Sequence, residues 1–423
     1  MRDSFTVIKG SLELRFDRFF SQLAHRVRAS EVRELLSWAK GRRIISFGGG
    51  FPDPSLYPVD ELAEIARDVI RTYRDKALQY GTTEGVDDLR EELIKFMSRY
   101  GVKVEGLESI AITSGSQQAI DILGRILIDP GDIIMVEKPT YLAAINAFSL
   151  QLPKYCAIPM DDEGMLMEPL ERALREAARR GDRVKFLYTV PTAQNPTGVT
   201  MSMERRKRLL ELADEYDFLI VEDNPYGYML FEPVRYEHLK ALDESGRVIH
   251  LSTFSKVLVP GLRVGWVIAE EELIRKMVLT KQSLDICTST LSQYVALEAL
   301  RRGLVERQLK ILPKFYREKR DVMLEALEVH MPPGTKWVKP VGGMFIFVRL
   351  PKALDAGKLL MPALERGVGY VPGDCFFVDR SGKNTMRLNF SYPKPEEIRR
   401  GIKILGELFR EALSQSQAAK AVT

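Results

Sequence analysis

The sequence reads VKFLYTV at residues 184–190, FLIVED at 218–223 and VIHLST at 248–253. Three further apolar runs of the same kind are IAIT (110–113), DIIMVE (132–137) and RVGWVIA (263–269). Short β-rich runs separated by longer charged segments are typical of buried parallel strands joined by crossover helices. The pattern predicts an α/β fold with a large, mostly parallel sheet, and it places all six runs among the parallel strands.

Two of the intervening segments predict crossover helices. They are SQQAIDILGRILI (116–128) and MSMERRKRLLELADEY (201–216), and both carry apolar residues at helical spacing. Each begins just after Gly, Pro, Ser or Thr, the residues that commonly precede a helix. The large domain is therefore predicted to be doubly wound.

The pattern changes after about residue 305. A long charged helical region is followed by GGMFIFVRL (342–350), TMRLNFS (385–391) and a final helix. Separated strands combined with helices predict a smaller α+β domain. We expect an N-terminal arm at residues 1–55 packed on that domain, a large α/β domain at 56–305 and the small domain at 306–423.

The composition of the 423 residues excludes several classes of function. The 62 basic and 58 acidic residues give a net charge of only +4, which does not indicate a nucleic-acid partner, and no stretch approaches the ~18 apolar residues of a membrane span. Three widely separated cysteines predict neither a disulfide framework nor a CxxC site, and they suit a cytoplasmic setting. The four histidines show no HxxxH or HxH spacing, so we expect no metal centre.

Polar residues follow directly after several predicted strands. Asp223 closes FLIVED, Lys256 follows VIHLST, Asn195 follows VKFLYTV, and Ser116 with Gln117 follow IAIT. Ligands of such sheets bind beyond the carboxyl ends of the strands. Taken singly, a lysine is usually solvated and NPTG is an ordinary turn. Their common position at one sheet edge favours a shared site.

Four motifs carry a resemblance to a known family. They are SGSQQA (114–119), QNPTG (194–198), DNPYG (223–227) and STFSKVLVPGLRVGW (252–266). Together they resemble the class I/II pyridoxal-phosphate aminotransferases of fold type I, over about residues 30 to 410. Within that family, SFGGGFPDPSLYP (46–58) and ALQYGTTEGVDDLRE (77–91) are most similar to the kynurenine/2-aminoadipate branch. The resemblance implies pyridoxal 5'-phosphate as the cofactor.

The resemblance also implies roles for the reacting groups. Lys256 would bind the cofactor aldehyde through its amine and later act as general base on the substrate Cα proton. Asp223 would face the pyridine nitrogen, where a carboxylate favours the protonated ring. Asn195 and Tyr226 would donate hydrogen bonds to the ring oxygen, and Tyr141 would lie on the ring face.

The remaining implied residues bind the phosphate and the substrate. The phosphate ligands are Ser116, Gln117, Thr253, Ser255 and Arg263, together with Tyr80 of the neighbouring subunit, which implies a homodimer with shared active sites. Arg387 would clamp the substrate α-carboxylate through its planar guanidinium. Gly49 and Gly50 would let the N-terminal loop approach the substrate, and Arg33 would contact its side chain. The GGG run lacks the spacing and context of a dinucleotide fingerprint.

The function implied is transfer of an amino group from an L-amino acid to 2-oxoglutarate by a ping-pong mechanism. The expected donors are 2-aminoadipate, aromatic amino acids or kynurenine, and branched-chain amino acids, with broad specificity. Two alternatives remain open: a lyase or decarboxylase on the same scaffold, and a non-catalytic aminotransferase-like regulator. The sequence TFSK (253–256) is a poor acyl-transfer motif because no SDN or KTG partner follows it.

Overall fold

The computed structural model describes residues 16–27, 44–234 and 236–422. Its largest element is an eight-stranded sheet. In spatial order the strands, numbered along the chain, are β2 (Ile110–Thr113), β9 (Gly265–Ile268), β8 (Val248–Thr253), β7 (Leu219–Asp223), β6 (Val184–Thr189), β3 (Ile133–Lys138), β4 (Lys154–Asp161) and β5 (Gly164–Met165). The predicted α/β class is confirmed.

The sheet is mostly parallel, as predicted, because β8, β7, β6, β3 and β4 pair in parallel. Two strands are exceptions: β9 runs antiparallel to both β2 and β8, and the short edge strand β5 runs antiparallel to β4. The placement of RVGWVIA among the parallel strands was therefore wrong. The connection from β8 to β9, residues 254–264, contains only the short 3-10 helix Pro260–Leu262, and a parallel connection would need a longer crossover.

Helices cover both faces of this sheet. Phe186 and Tyr188 of β6 pack on one side against Phe148, whereas Leu187 faces the other side. The described helices are Gln22–Arg26, Val59–Tyr73, Asp75–Leu78, Asp87–Ser98, Ser116–Leu127, Leu142–Ser149, Met167–Arg180, Met203–Tyr216, Leu239–Leu242, Glu271–Asp285, Thr290–Arg301, Leu304–His330, Ala356–Glu365 and Pro395–Val422. Within these ranges no helix combines the length and apolar character that crossing a membrane requires.

A second, antiparallel sheet is formed by the C-terminal part of the chain. Its order is β10 (Lys336–Trp337), β11 (Phe345–Arg349), β14 (Thr385–Asn389) and β13 (Val371–Pro372). Beside it, β1 (Ile45–Ser46) pairs in parallel with β12 (Val368–Gly369). This pairing attaches the glycine-rich segment that follows β1 to the C-terminal part, next to the cleft described below.

Candidate active site

A cleft of about 1310 Å³ opens at the carboxyl edge of the large sheet. Most of the residues predicted from the sequence line it: Gly50, Ser116, Gln117, Tyr141, Asn195, Asp223, Tyr226, Thr253, Ser255, Lys256, Arg263 and Arg387. The structure thus brings together residues that are up to 337 positions apart, from Gly50 to Arg387.

The strand directions explain this convergence. Asp223 is the last residue of β7, and Asn195 and Lys256 follow β6 and β8. The carboxyl ends of these parallel strands share one edge. Arg263 instead precedes β9. Because β9 is antiparallel, its first residue, Gly265, pairs with Thr253 at the end of β8. The reversed strand therefore brings Arg263 to the same edge, which a parallel β9 would not have done.

Asp223 is a buried carboxylate in which only one of the two oxygens accepts a hydrogen bond. Tyr188 donates from its hydroxyl to Asp223 Oδ2 at 2.7 Å, whereas Oδ1 has no hydrogen-bond partner among the described residues. Burial raises the pKa of Asp223 to about 6, although the Tyr188 bond and the nearby His250 act in the opposite direction. The unpaired oxygen lies beside the cleft and requires a donor.

The Lys256 amine is prepared for chemistry that needs a neutral nitrogen. Its Nζ donates to the backbone oxygen of Gly50 at 2.7 Å. Burial, followed by the positive charges of Arg387 and Arg263, lowers the Lys256 pKa to about 8. The unprotonated fraction of the amine near neutral pH is consequently far larger than that of an ordinary lysine, and the protonated form still predominates.

Arg387 extends from the central strand β14 into the cleft. Its Nη1 donates to Asn195 Oδ1 at 2.9 Å and its Nη2 to the Gly48 oxygen at 2.8 Å. The guanidinium carbon lies 4.2 Å from the ring centre of Phe345 and 5.0 Å from that of Phe376. Stacking between aromatic rings fixes the guanidinium plane, and the buried Nε has no partner within the described ranges. This geometry suits a carboxylate ligand.

Hydroxyls and one guanidinium form the opposite end of the cleft. Thr253 Oγ1 and Ser255 Oγ are 2.9 Å apart, and Arg263 Nη1 donates to Ser255 Oγ at 3.4 Å. Ser116 begins the helix Ser116–Leu127, whose N-terminal amides favour an anion. The preceding Gly115 has φ +74°, and a Cβ there would lie 2.5 Å from Arg263 Nη2. Only glycine permits this close approach.

Two tyrosines complete the wall of the cleft. Burial, and then the Asp223 charge, raise the pKa of Tyr141 to about 12. Burial raises the pKa of Tyr226 strongly as well, with a further contribution from Tyr141. Both hydroxyls therefore stay protonated and can donate hydrogen bonds.

Two of the predicted residues do not line the cleft, and a third lies outside the residues that the structure describes. Gly49 is buried next to Gly50 but is not part of the lining. Tyr80 is 76% exposed on the surface, away from the cleft of its own chain. Arg33 lies outside the described residues.

The sequence interpretation missed several contributors. Tyr188 and Phe345 lie within apolar runs that predict core strands, so nothing distinguished them from packing residues. Phe376 lies close to the guanidinium but belongs to the short 3-10 helix Gly373–Phe376, whose sequence carries no motif. Gly48 acts through its carbonyl oxygen, for which side-chain chemistry gives no signal.

The structure also brings two histidines together that the sequence separates. His238, His250 and Glu222 offer ligand atoms within 4.8 Å of one another. Glu222 already accepts from His250 Nδ1 at 2.8 Å and from the amides of Leu239 and Lys240 at 2.8 and 3.0 Å. Burial alone would raise the Glu222 pKa, but His250 lowers it to about 2. These three residues lie on separate segments, so sequence spacing could not reveal the cluster.

The cleft fits pyridoxal phosphate at each functional group of the cofactor. The unpaired buried Asp223 Oδ1 can accept from a protonated ring nitrogen, and the Lys256 amine can bond to the aldehyde. The hydroxyls and Arg263 at the Ser116 helix start suit a phosphate dianion. Asn195 and the protonated Tyr226 can donate to the ring oxygen.

Comparisons with known proteins identify the family. The family model described as aminotransferase class I and II matches residues 44–405. The aromatic-amino-acid aminotransferase 1 of Thermococcus litoralis is 49% identical, over 95% of this chain and 96% of the relative. The 2-aminoadipate transaminase of Thermus thermophilus is 39% identical, over 95% of this chain and 99% of the relative.

A solved structure gives the same result. The kynurenine aminotransferase of Pyrococcus horikoshii superposes with a TM-score of 0.91 and 51% identity, over 94% of this chain and 98% of that one. The resemblance to the kynurenine/2-aminoadipate branch is confirmed, and so are the cofactor and the enzyme class. The chain therefore belongs to the class I and II aminotransferases and is a pyridoxal-phosphate-dependent transaminase.

Proposed function

We propose that this transaminase transfers the amino group of an L-amino acid to 2-oxoglutarate with broad donor specificity. The proposed donors are aromatic amino acids and kynurenine, 2-aminoadipate, and branched-chain amino acids. The observation that carries the proposal is the convergence of Lys256, Asp223 and Arg387 in one cleft. The names of the relatives support the donor range, because one is an aromatic-amino-acid and another a 2-aminoadipate enzyme.

The chain's own groups divide the work between binding and proton transfer. Arg387 binds the donor α-carboxylate through its planar guanidinium, which is oriented by hydrogen bonds to Asn195 and Gly48. Lys256 Nζ then removes the proton from the donor Cα and returns it during formation of the product. Because the Lys256 pKa is low, the amine can both accept and release this proton near neutral pH. When bound, the cofactor supplies the carbonyl that exchanges the amino group and a ring that withdraws electrons from Cα.

Side chains elsewhere in the cleft support a broad donor range. Phe51, Val27 and Phe377 offer apolar surface, and Arg26 contributes a cation. Aromatic and aliphatic side chains suit the apolar part, whereas the distal carboxylate of 2-aminoadipate or 2-oxoglutarate suits the guanidinium. The proposed shared sites of a homodimer would add Tyr80 from the second subunit.

An amino-acid panel with 2-oxoglutarate tests this proposal, with glutamate formation as the measurement. We expect turnover of tyrosine, kynurenine, 2-aminoadipate and leucine, and parallel lines in double-reciprocal plots when both substrates vary. Lys256→Ala serves as the inactive control. Activity confined to aspartate or alanine would contradict the donor range, and release of CO₂ without any 2-oxo acid would favour the decarboxylase alternative.

A further inference from the structure

The loop from Phe47 to Asp53 carries two carbonyls that touch the reacting groups. Gly48 O accepts from Arg387 Nη2 at 2.8 Å, and Gly50 O accepts from Lys256 Nζ at 2.7 Å. Residues 48–50 are all glycine, the residue with the least restricted backbone. The loop therefore depends on outside contacts to keep both carbonyls in place.

The two ends of the loop are attached in different ways. At the first end, Phe47 N donates to Gly369 O at 2.7 Å, and Asn389 N donates to Phe47 O at 2.9 Å. At the second end, side chains make the attachment: Asp53 N donates to the Tyr316 hydroxyl at 3.0 Å, and the Asp53 carboxylate pairs with Lys319. Both Tyr316 and Lys319 belong to the long helix Leu304–His330.

The Lys319–Asp53 ion pair is buried and has further hydrogen bonds. The two side chains are 5% and 12% exposed, and Lys319 Nζ also donates to Ser391 O at 2.7 Å. Ser391 Oγ in turn donates to Phe51 O at 2.7 Å. A buried pair of this kind adds little net stability compared with apolar residues, but it can specify one geometry.

We propose that the Lys319–Asp53 ion pair is a positioning device for catalysis. It fixes the Phe47–Asp53 loop so that the Gly48 and Gly50 carbonyls hold Arg387 and Lys256 in their working orientations. Neither Lys319 nor Asp53 lines the cleft, so both are positioning residues. The inference rests on the roles proposed above for Arg387 and Lys256.

Lys319→Met in the holoenzyme tests this role. We expect amide hydrogen exchange in residues 48–51 to accelerate on the order of tenfold, since the loop loses one attachment. We expect kcat/KM for an aromatic donor to fall by roughly 10- to 100-fold. KM should rise because Arg387 loses its orientation toward the donor carboxylate, and kcat should fall because Lys256 loses its orientation toward the Cα proton. Cofactor affinity should fall less than kcat/KM, because the proposed phosphate ligands Thr253, Ser255 and Arg263 hydrogen-bond to residues outside the loop.

A matched control removes a lysine from another buried pair. Lys240 pairs with Asp243 at 2.9 Å, with side chains 9% and 0% exposed, and neither residue lines the cleft. Lys240→Met should leave loop exchange and KM unchanged. If it reproduces the Lys319→Met effects, those effects report general destabilisation and the proposal is wrong.

A double variant separates positioning from the cost of an unpaired charge. Lys319→Met with Asp53→Leu removes both charges, so no buried ion is left alone. The proposal predicts that fast loop exchange and a raised KM persist in this variant. Wild-type values of both would overturn it. Wild-type protein that turns over none of the proposed donors would reject the proposed function instead, and the exchange measurement would still decide the role of the ion pair.

Discussion

Lys256 is a partly buried lysine whose pKa is set by its surroundings. Burial lowers that pKa first, and the cations Arg387 and Arg263 lower it further, to about 8. Below that pH the amine carries a proton, and above it the amine is a neutral nucleophile. In cofactor-free protein, we expect labelling of Lys256 by an amine-selective reagent to rise with pH around a midpoint near 8. Peptide mass spectrometry measures the extent.

Arg387→Met provides the comparison for this titration. Removing one of the cations that disfavour the protonated amine should move the midpoint to higher pH. An unchanged midpoint would show that the Arg387 charge does not contribute to the reactivity of Lys256.

Tyr188 controls the ionisation of Asp223 through a single hydrogen bond. That bond favours the carboxylate and opposes the burial that raises the pKa to about 6. Tyr188→Phe should therefore raise the Asp223 pKa and shift the acidic limb of kcat/KM upward by about one pH unit. Tyr370→Phe is the control, because the Tyr370 hydroxyl donates to Ala356 O, away from the cleft. Identical acidic limbs in all three proteins would refute this role of Tyr188.

At the scale of single elements, the direction of β9 is where the structure differs from the sequence-based prediction. The apolar run predicted a buried strand, and all four residues of β9 are buried. Burial on both faces gives the same composition for either direction, so only the short connection from β8 distinguishes them. Strand β4 was not predicted because half-exposed residues interrupt its apolar pattern. Strands whose apolar runs are not interrupted in this way were predicted, because their pattern is that of a buried strand.

The antiparallel strand β9 leaves no space for a side chain at Gly265. A Cβ there would lie 2.8 Å from backbone atoms of Gly115, Ser116 and Ser252. Gly265→Ala should push the turn before the Ser116 helix out of place, lower cofactor affinity at least about tenfold and cost roughly 1–3 kcal/mol of unfolding free energy. Cofactor titration and thermal unfolding measure these two effects.

Gly261 is a matched control in the preceding turn. A Cβ at Gly261 would meet nothing within 4 Å, and its φ is not in the left-handed region. Gly261→Ala should therefore leave cofactor affinity unchanged. Equal losses in the two alanine variants would contradict the proposed role of the close contact at Gly265.

At the scale of the whole molecule, the motifs predicted most of the cleft because they occupy strand ends. The direct partners of those residues were not predictable, since Tyr188 and Phe345 are indistinguishable from core residues until the faces of the strands are known. The loop carbonyls of Gly48 and Gly50 carry no side-chain signal at all. Long-range packing, including the Lys319–Asp53 pair, depends on the tertiary fold alone.

Tyr80 is the residue on which the proposed sharing of a site between two subunits depends. It is 76% exposed and absent from the cleft of its own chain, and Leu78 nearby is 63% exposed. If Tyr80 acts in a second subunit of a homodimer, Lys256→Ala and Tyr80→Ala should complement each other. In a mixed dimer, the Tyr80→Ala subunit keeps Lys256 and receives an intact Tyr80 from its partner.

Random exchange between equal amounts of the two variants makes half of the dimers mixed, each with one intact site. We therefore expect roughly a quarter of wild-type activity at limiting cofactor after the variants are unfolded and refolded together. The same variants refolded separately and then combined are the control and should stay near their individual low activities. No gain on co-refolding would place Tyr80 outside the shared site, because a residue acting within its own chain cannot restore the other subunit.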